Sequence, residues 1–273
     1  MGHRLFAPGV DRFQHIPGQR AAHARRADLT KLRSWRRYCG PMSHESDLRP
    51  LDPDHASRPP RAAVAWSVLA FAIVVAFGAY LRFGSQGPLG IDSWWHGVAG
   101  VTRGSGPYAV AVFMAEVGSG VGAAACAAIA AALFFARRSP RGGATVMTAM
   151  LLGIAGSELL KTLVARPRPW GQLYGASGSS YPSGHTMGAA ALAVSIALVI
   201  CSAGWVTQRQ AVWVYAAAGA WVALMAWSRT ALHVHWLSDT LAGALLGTAV
   251  ALIAMTMWKP WAHTAQAGVG GSL

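Results

Sequence analysis

Three short segments of this sequence carry the residue types best suited to chemistry. They are "KTLVARPRP" (161–169), "YPSGH" (181–185) and "SRTALHVHWLSD" (228–239). Together they supply four cations, three histidines and one acid: Lys161, Arg166, Arg168, Arg229, His185, His233, His235 and Asp239. A cluster of cations with so little counter-charge predicts a site for an anion. Guanidinium groups match phosphate oxygens with paired hydrogen bonds, and a lysine adds a point charge.

The "PSGH" segment predicts a backbone cradle for the same anion. Ser183 and Gly184 stand at a turn that leads into an apolar run, where the first N–H groups of a helix have no intrahelical partner. Small residues at a helix N-terminus let backbone donors approach a phosphate closely, and the helix dipole favours negative charge there. We therefore expect Ser183 and Gly184 to bind phosphate.

Two histidines are placed to react with that phosphate. Histidine can act as a nucleophile or as a proton donor near neutral pH. His235 and Asp239 are four residues apart, so on a helix they share one face, and the carboxylate can hold one ring nitrogen while the other attacks. His185 has no nearby acid in sequence and is better placed to protonate a leaving oxygen. Spacing alone does not exclude His233 as the nucleophile.

The position of Arg229 predicts a break in the chain. Arg229 precedes His235 by six residues, which on one continuous helix corresponds to about 240° of rotation and points the two side chains apart. For both residues to serve one site, the helix has to end between them. We therefore predict a helix boundary near 230–235.

These segments lie at the edges of long apolar runs. Of the 273 residues, 53% are hydrophobic and 12% are charged, with a mean hydropathy of +0.35, whereas a soluble domain carries about 25% charged residues. A bilayer takes about 20 residues of helix to cross. The sequence predicts an all-α polytopic membrane protein with six transmembrane helices, at 62–82, 107–135, 143–161, 185–203, 211–230 and 236–257.

The rest of the chain is divided by charge and hydropathy. Residues 1–61 hold 12 Lys and Arg and 6 Asp and Glu without a sustained apolar run, which predicts a disordered, basic cytoplasmic tail. The transmembrane domain is predicted at 62–258 and a short C-terminal tail at 259–273. The three cysteines show no metal-like spacing.

Basic loops predict the orientation and the partners. Residues 136–142 and 207–210 would lie on the cytoplasmic side with the tail, which puts the three reactive segments on the extracytoplasmic face of the cell membrane. Basic cytoplasmic loops, which lie against anionic lipid surfaces, account for the formal net charge of +13. No nucleic-acid-binding motif is visible, so we predict membrane lipids and a lipid phosphate as partners and no nucleic acid.

Taken together, the three segments resemble the signature of the type-2 phosphatidic acid phosphatases. The first part is Lys161, six residues and Arg168-Pro169; the second is Pro182-Ser183-Gly184-His185; the third is Ser228-Arg229, five residues, His235, three residues and Asp239. All spacings are intact from residue 161 to residue 239. Three ordered motifs form a specific signal, whereas "PSGH" alone would be weak.

This resemblance implies a helical bundle like that of the acid phosphatases and vanadium haloperoxidases. It also implies hydrolysis of a lipid phosphate or pyrophosphate without a metal or other cofactor. In the roles it implies, His235 becomes phosphorylated, His185 protonates the leaving group and Asp239 orients His235. It implies that phosphate is bound by Lys161, Arg168, Ser183, Gly184 and Arg229. Phosphatidic acid, phosphatidylglycerol phosphate and undecaprenyl pyrophosphate all fit this chemistry.

Three further charged residues lie near these segments. Glu158 is one turn before Lys161 and is expected to form an ion pair with it. Arg166 is interpreted as an interfacial anchor, with a phosphate or headgroup contact as the alternative. Glu116 falls inside a predicted span, where an acid is a functional hypothesis by default, although the signature does not use it.

Other functions remain as rivals to a phosphatase. A vanadate-dependent haloperoxidase shares this type of anion site, but the six apolar spans argue against a soluble enzyme of that class. A transporter could bind an anionic lipid with the same cations and would not need the pair of His235 and Asp239. A phosphotransferase would use the same phosphohistidine and pass the group to another acceptor.

Overall fold

The structure, a computed structural model, describes residues 61–258. Within this range eight helices follow one another: α1 (Arg61–Phe83), α2 (Gly90–Ala99), α3 (Gly106–Val117), α4 (Gly120–Ala136), α5 (Pro140–Val164), α6 (Gly184–Ser202), α7 (Gln208–Ala231) and α8 (Leu237–Trp258). Helices α1, α5, α6, α7 and α8 are long and apolar enough to cross a bilayer, and α3 with α4 forms a bent sixth candidate. The prediction of an all-α polytopic fold is confirmed. The predicted tails, 1–61 apart from Arg61 and 259–273, lie outside the described residues.

Helices α6 and α8 form the centre of the bundle, where glycines allow their backbones to touch. A Cβ atom at Gly247 would collide with the Met187 carbonyl, and one at Gly243 would lie 2.5 Å from the Ser183 carbonyl oxygen. Small residues four apart are the pattern that lets helices approach closely in a membrane. The Ser183 amide also donates to the Asp239 carbonyl at 3.0 Å. The second and third reactive segments are thereby brought side by side.

Two apolar clusters place the remaining helices around this pair. In the larger cluster, residues of α1, α4 and α5 pack against α6 and α8, among them Leu81, Phe134, Val146, Met150, Leu246 and Val250. The smaller cluster joins α3 to the end of α7 and the turn after it, through Ala111, Ala115, Ala231, Leu232 and Val234. Helix α3 therefore lies beside the end of the bundle that carries the reactive segments.

The span predicted at 107–135 is a bent pair of helices rather than a single straight helix. This segment consists of α3 and α4, which are bent by 66° at a short break. Ser119 begins α4 by accepting a hydrogen bond from the Gly122 amide at 3.1 Å, as an N-cap does. Residue 122 has to be glycine, because a Cβ atom there would collide with the Glu116 carbonyl. Apolar periodicity concealed this break, although the "GSG" at 118–120 marks it.

The predicted boundary near 230–235 is confirmed. Helix α7 ends at Ala231 and α8 begins at Leu237. The turn between them includes His233 at φ 55, a left-handed conformation that ends a helix. The Asp239 carboxylate accepts from the Trp236 amide at 2.9 Å and so fixes the start of α8. Arg229 and His235 consequently lie on different elements and can face one site.

Candidate active site

The three reactive segments meet at one end of the bundle, which we call the site end. It comprises the last turns of α5 and α7, the first turns of α6 and α8, and the loops that join them. The residues predicted to act are distributed as follows: Lys161 in α5, Arg168 in the loop after it, Ser183 as the N-cap of α6, Gly184 and His185 in its first turn, Arg229 in the last turn of α7, His235 in the following turn and Asp239 in the first turn of α8.

His235 is a buried ring whose two nitrogens have different partners. Nδ1 lies 2.7 Å from the Ser180 carbonyl oxygen, which can only accept a hydrogen bond. Nε2 lies 3.2 Å from Nη1 of Arg168, which can only donate one. Both contacts require the hydrogen to sit on Nδ1. The Nε2 lone pair is therefore directed toward the cations, as a nucleophile for an anion requires.

The surroundings of His235 also set its charge. The pKa of this ring is lowered from 6.5 to about 4. Burial is the largest cause, the charges of Arg168 and Arg229 act in the same direction, and Asp239 acts in the opposite direction. The ring is therefore neutral at pH 7. A neutral imidazole keeps its Nε2 lone pair available for attack.

Asp239 contacts His235 less directly than its spacing predicts. Asp239 Oδ2 lies 3.8 Å from Nδ1 of His235, too long for a hydrogen bond, and Nδ1 donates to Ser180 instead. The carboxylate stays close enough to act on the ring by charge. Its Oδ1 forms a 2.6 Å ion pair with Arg166. The backbone carbonyl of Ser180, which has no signature in a sequence, supplies the hydrogen bond that we had expected from Asp239.

Arg229 shows the clearest preparation for an anion. Its side chain is 1% exposed, yet its Nε and Nη1 atoms have no hydrogen-bond partner within the described residues. Its guanidinium lies 5.5 Å from the ring centroid of Tyr174. Buried charged donors without partners are costly. An anion that accepts from both atoms would remove that cost.

Arg168 is held in place by the loop that it belongs to. Its Nε and Nη2 atoms donate to the Ser177 carbonyl at 3.1 and 2.9 Å, and Nη1 donates to the Val234 carbonyl at 2.7 Å. Burial lowers the pKa of Arg168, and the charge of Asp239 opposes this effect. These bonds point Nη1 at His235. Arg168 is therefore preorganised beside His235, the candidate nucleophile.

Lys161 and the start of α6 lie together. The predicted ion pair of Lys161 with Glu158 is confirmed, at 2.7 Å. The Lys161 Nζ atom would lie 3.3 Å from a Cβ atom at Gly184, so a larger residue there would crowd this ammonium against the helix start. The Ser183 amide already donates to Asp239, and its hydroxyl accepts from the Thr186 amide. The free helix-start amides are therefore those of Gly184 and His185 rather than that of Ser183.

His185 contacts the segment that contains α3 and the break after it. Its Nε2 atom is 3.2 Å from the Ala115 carbonyl oxygen of α3. A Cβ atom at Gly118 would lie 3.0 Å from the His185 ring, which shows how closely the break after α3 approaches it. The bent segment therefore forms one wall of the site. No sequence pattern indicated this contact.

Two charged residues have other surroundings than we expected. Arg166 is 0% exposed and pairs with Asp92 and Asp239, so its interpretation as an interfacial anchor or headgroup contact is wrong. Glu116 is exposed at the end of α3, where it accepts from the Tyr174 hydroxyl at 2.7 Å. This hydrogen bond raises the pKa of Tyr174. Glu116 thus borders the site through Tyr174, the residue that also lies against Arg229.

Comparisons with known proteins give a family match and a structural similarity. The PAP2 superfamily model matches residues 142–262, which contain all three reactive segments. This part of the chain is therefore similar to the PAP2 superfamily. No curated protein matches it in sequence. Its structure is similar to that of a transmembrane PAP2-type phosphatidylglycerolphosphate phosphatase from Bacillus subtilis, with a TM-score of 0.61 and 24% identity over 70% of this chain and 94% of the other.

The PAP2 match and the helices agree on where the protein resides. The matched residues take in nearly all of α5 and the whole of α6, α7 and α8, four of the five long apolar helices. The similar bacterial structure is itself described as transmembrane. The chain is thus an integral membrane protein. Within residues 61–258, no group of three His, Cys, Asp or Glu side chains is arranged to hold a metal ion.

Proposed function

We propose that this protein is a membrane phosphatase that hydrolyses a lipid phosphate or pyrophosphate through a phosphohistidine at His235. The match of residues 142–262 to the PAP2 superfamily and the similarity of the fold to a transmembrane PAP2-type phosphatase support a phosphatase in a membrane. The observation that carries the proposal is the neutral His235 ring, whose Nε2 lone pair is directed at Arg168 and which lies within electrostatic range of the unpartnered Arg229.

In the first step, the terminal phosphate is bound by the cations of Lys161, Arg168 and Arg229 and by the amides of Gly184 and His185. These groups stabilise the charge that spreads over the equatorial oxygens in the transition state. Nε2 of His235 attacks phosphorus as the bond from phosphorus to the leaving oxygen breaks. The Ser180 carbonyl and the charge of Asp239 stabilise the positive ring that results.

His185 gives the departing oxygen its proton. Its Nε2–H donates to the Ala115 carbonyl and sets the position of the ring, which leaves Nδ1 to carry the transferred proton. In the second step, the same nitrogen takes a proton from water as the water oxygen attacks phosphorus. The bond from phosphorus to His235 then breaks, and inorganic phosphate leaves with both histidines restored.

The substrate is proposed to be a lipid because the site opens at the end of an apolar bundle. The helices around it expose large apolar side chains outward, as membrane-crossing helices do: Leu159 and Leu163 on α5, Phe113 on α3 and Leu241 on α8. Phosphatidic acid, phosphatidylglycerol phosphate and undecaprenyl pyrophosphate each place a terminal phosphate at this level. We propose these lipids as the substrate class, on the extracytoplasmic face of the cell membrane.

The direct test measures phosphate release from these three lipids by purified protein in detergent micelles. We expect His235→Ala to reduce turnover by at least about 10³-fold, as the loss of a nucleophile does, and to abolish acid-labile labelling by ³²P-substrate. A matched control is His96→Ala, because His96 is a nearby histidine that the mechanism does not use. Wild-type turnover by His235→Ala would overturn the proposal, and binding of lipid without phosphate release by the wild type would favour a transporter.

A further inference from the structure

A buried ionic network lies directly behind the proposed nucleophile. Arg166 donates from Nη1 to Asp239 Oδ1 at 2.6 Å and from Nη2 to Asp92 Oδ2 at 2.8 Å. The side chains of all three residues are 0% exposed. Asp92 belongs to α2, Arg166 to the loop after α5, and Asp239 to α8. One guanidinium thus ties together three separate parts of the fold.

Asp92 also contacts the start of α8 directly, without Arg166 between them. Its Oδ1 accepts from the Ser238 amide at 2.8 Å, and its Oδ2 accepts from the Ser238 hydroxyl at 2.7 Å. Arg166 Nη1 reaches the same hydroxyl at 2.8 Å. Ser238 directly precedes Asp239. The network therefore fixes both residues at the N-terminus of α8.

The turn that carries His235 is bound to the same network. Asp239 Oδ2 accepts from the Trp236 amide at 2.9 Å, and the indole N–H of Trp236 donates to the Pro167 carbonyl at 3.1 Å. The Arg166 guanidinium lies 5.9 Å from the Trp236 ring centroid. Trp236, which follows His235, is thus held by hydrogen bonds from both its backbone amide and its indole N–H. A shift of Arg166 would move the turn and the ring together.

The network carries negative charge next to the His235 ring, which becomes positive when it attacks phosphorus. Two carboxylates and one guanidinium give a formal charge of −1, with Asp239 as the member nearest to His235. Burying three charges is costly and is tolerated only with dense hydrogen bonding, which this network has. Such an arrangement is weak as a device for stability alone, but it holds a carboxylate at a defined distance from the ring.

We propose that Arg166 and Asp92 are positioning residues for phosphoryl transfer, acting through Asp239 and the 235–239 turn. They touch neither the anion site nor the reacting atoms. This inference rests on the proposed function, because it presumes that His235 is the nucleophile. It assigns to α2, which lies outside the matched PAP2 residues, a role in keeping the nucleophile aligned.

The test uses variants that preserve size while changing the network. Asp92→Asn keeps two hydrogen-bonding atoms but removes one charge, and Arg166→Lys keeps the charge but replaces the planar fork with one ammonium that cannot bridge two carboxylates in the same geometry. We expect kcat to fall about tenfold in Asp92→Asn and about 100-fold in Arg166→Lys, the loss typical of a misplaced reacting group. KM should stay within about twofold, since the phosphate-binding cations are unchanged.

A stability control separates positioning from simple destabilisation. Leu246→Ala removes a fully buried side chain from the middle of α8, away from the charges, and should lower the melting temperature while leaving kcat near the wild-type value. The double variant Asp92→Asn/Arg166→Lys should be no slower than Arg166→Lys alone, because both substitutions act through one network.

The outcomes distinguish this inference from the proposed function. Wild-type kcat in Asp92→Asn and Arg166→Lys, with His235→Ala inactive, would overturn the positioning role and leave the phosphatase proposal standing. A raised KM with unchanged kcat would overturn it as well. Activity in His235→Ala would overturn both. If Arg166→Lys does not fold, the kcat of folded Asp92→Asn decides the question.

Discussion

Four of the ten histidines lie in the described part of the chain, and their surroundings give them different properties. His235 is held by a carbonyl on one nitrogen and faces a guanidinium with the other. His96 and His233 instead lie against one another, with ring centroids 3.9 Å apart. Burial and the neighbouring His233 lower the pKa of His96. Only the partners of each ring, and not the residue type, separate a candidate nucleophile from a packing residue.

The first prediction at this scale concerns stability and pH. The folded pKa of His235 is about 4 against 6.5 for a free ring, so between these values the unfolded chain binds a proton that the folded chain does not. The contribution of His235 to the free energy of unfolding should therefore be complete above about pH 6.5. It should decrease by about 3 kcal/mol as the pH falls to about 4. Between pH 7 and pH 4.5, the melting temperature in detergent should fall by more for the wild type than for His235→Gln. Equal losses in both proteins would contradict the low pKa.

A second prediction concerns the free donors of Arg229. Arg229→Lys keeps the charge but removes the planar fork that pairs with phosphate oxygens. We expect kcat/KM for lipid phosphate to fall about 100-fold, a loss of about 3 kcal/mol of transition-state stabilisation. The matched control is Arg209→Lys, an exposed arginine at the opposite end of the same helix, which should retain wild-type kinetics. Unchanged kcat/KM in Arg229→Lys would remove this residue from the phosphate site.

At the scale of helices, close packing decides where the reactive turns lie. Helices α6 and α8 touch through Gly243 and Gly247, and this contact sets the distance between the second and third segments. The break after α3 allows the Ala115 carbonyl to reach His185, which a straight span would not permit. Both features depend on glycine, because a side chain at either place would meet backbone. The site is therefore as sensitive to helix packing as to its own side chains.

The glycine contact predicts a contrast between two substitutions. Gly247→Val should push α8 from α6, since its Cβ would collide with the Met187 carbonyl, and should cost at least about 3 kcal/mol of stability as an overpacked core does. Gly219→Ala, in α7 with no neighbour within 4 Å of its Cβ position, should be neutral or stabilise by up to about 1 kcal/mol. Thermal unfolding and phosphate release of both variants provide the measurement. Equal stability would show that α6 and α8 are not in close contact.

For the molecule as a whole, the two ends of the bundle differ in chemistry. The site end gathers cations around the candidate active site. The opposite end of α5 carries Arg137 and Arg138 in the connection from α4 and Arg141 in the first turn of α5. Positive loops of this kind stay in the cytoplasm. We therefore place the site end on the extracytoplasmic face as a proposal that labelling can test.

Labelling of single cysteines should report this orientation. In a variant without Cys39, Cys126 and Cys201, Gly175→Cys would mark the loop at the site end and Arg137→Cys the opposite connection; both positions are exposed. A membrane-impermeant maleimide should label Gly175→Cys in right-side-out vesicles and Arg137→Cys in inside-out vesicles. The reverse pattern would place the site in the cytoplasm, and labelling of both positions in one vesicle type would contradict a spanning bundle.

Much of this protein could be predicted from residue types and spacing alone. The long apolar runs predict the all-helical membrane fold, because about 20 apolar residues cross a bilayer as a helix that satisfies its own backbone hydrogen bonds. The three motifs predict which residues gather at one end, and the rotation between Arg229 and His235 predicts the break after α7. These signals are local or periodic, so they can be interpreted without knowing which helices are in contact.

The tertiary structure decided what periodicity cannot express. Three hydrogen-bond partners fall in this class, because each joins parts of the chain far apart in sequence or comes from a backbone carbonyl: Ser180 with His235, Ala115 with His185, and Asp92 with Arg166. The sequence indicated that Asp239 would serve His235, and the fold showed that a buried arginine holds that carboxylate. Residue chemistry determined the kind of site, and packing determined the partner of each atom within it.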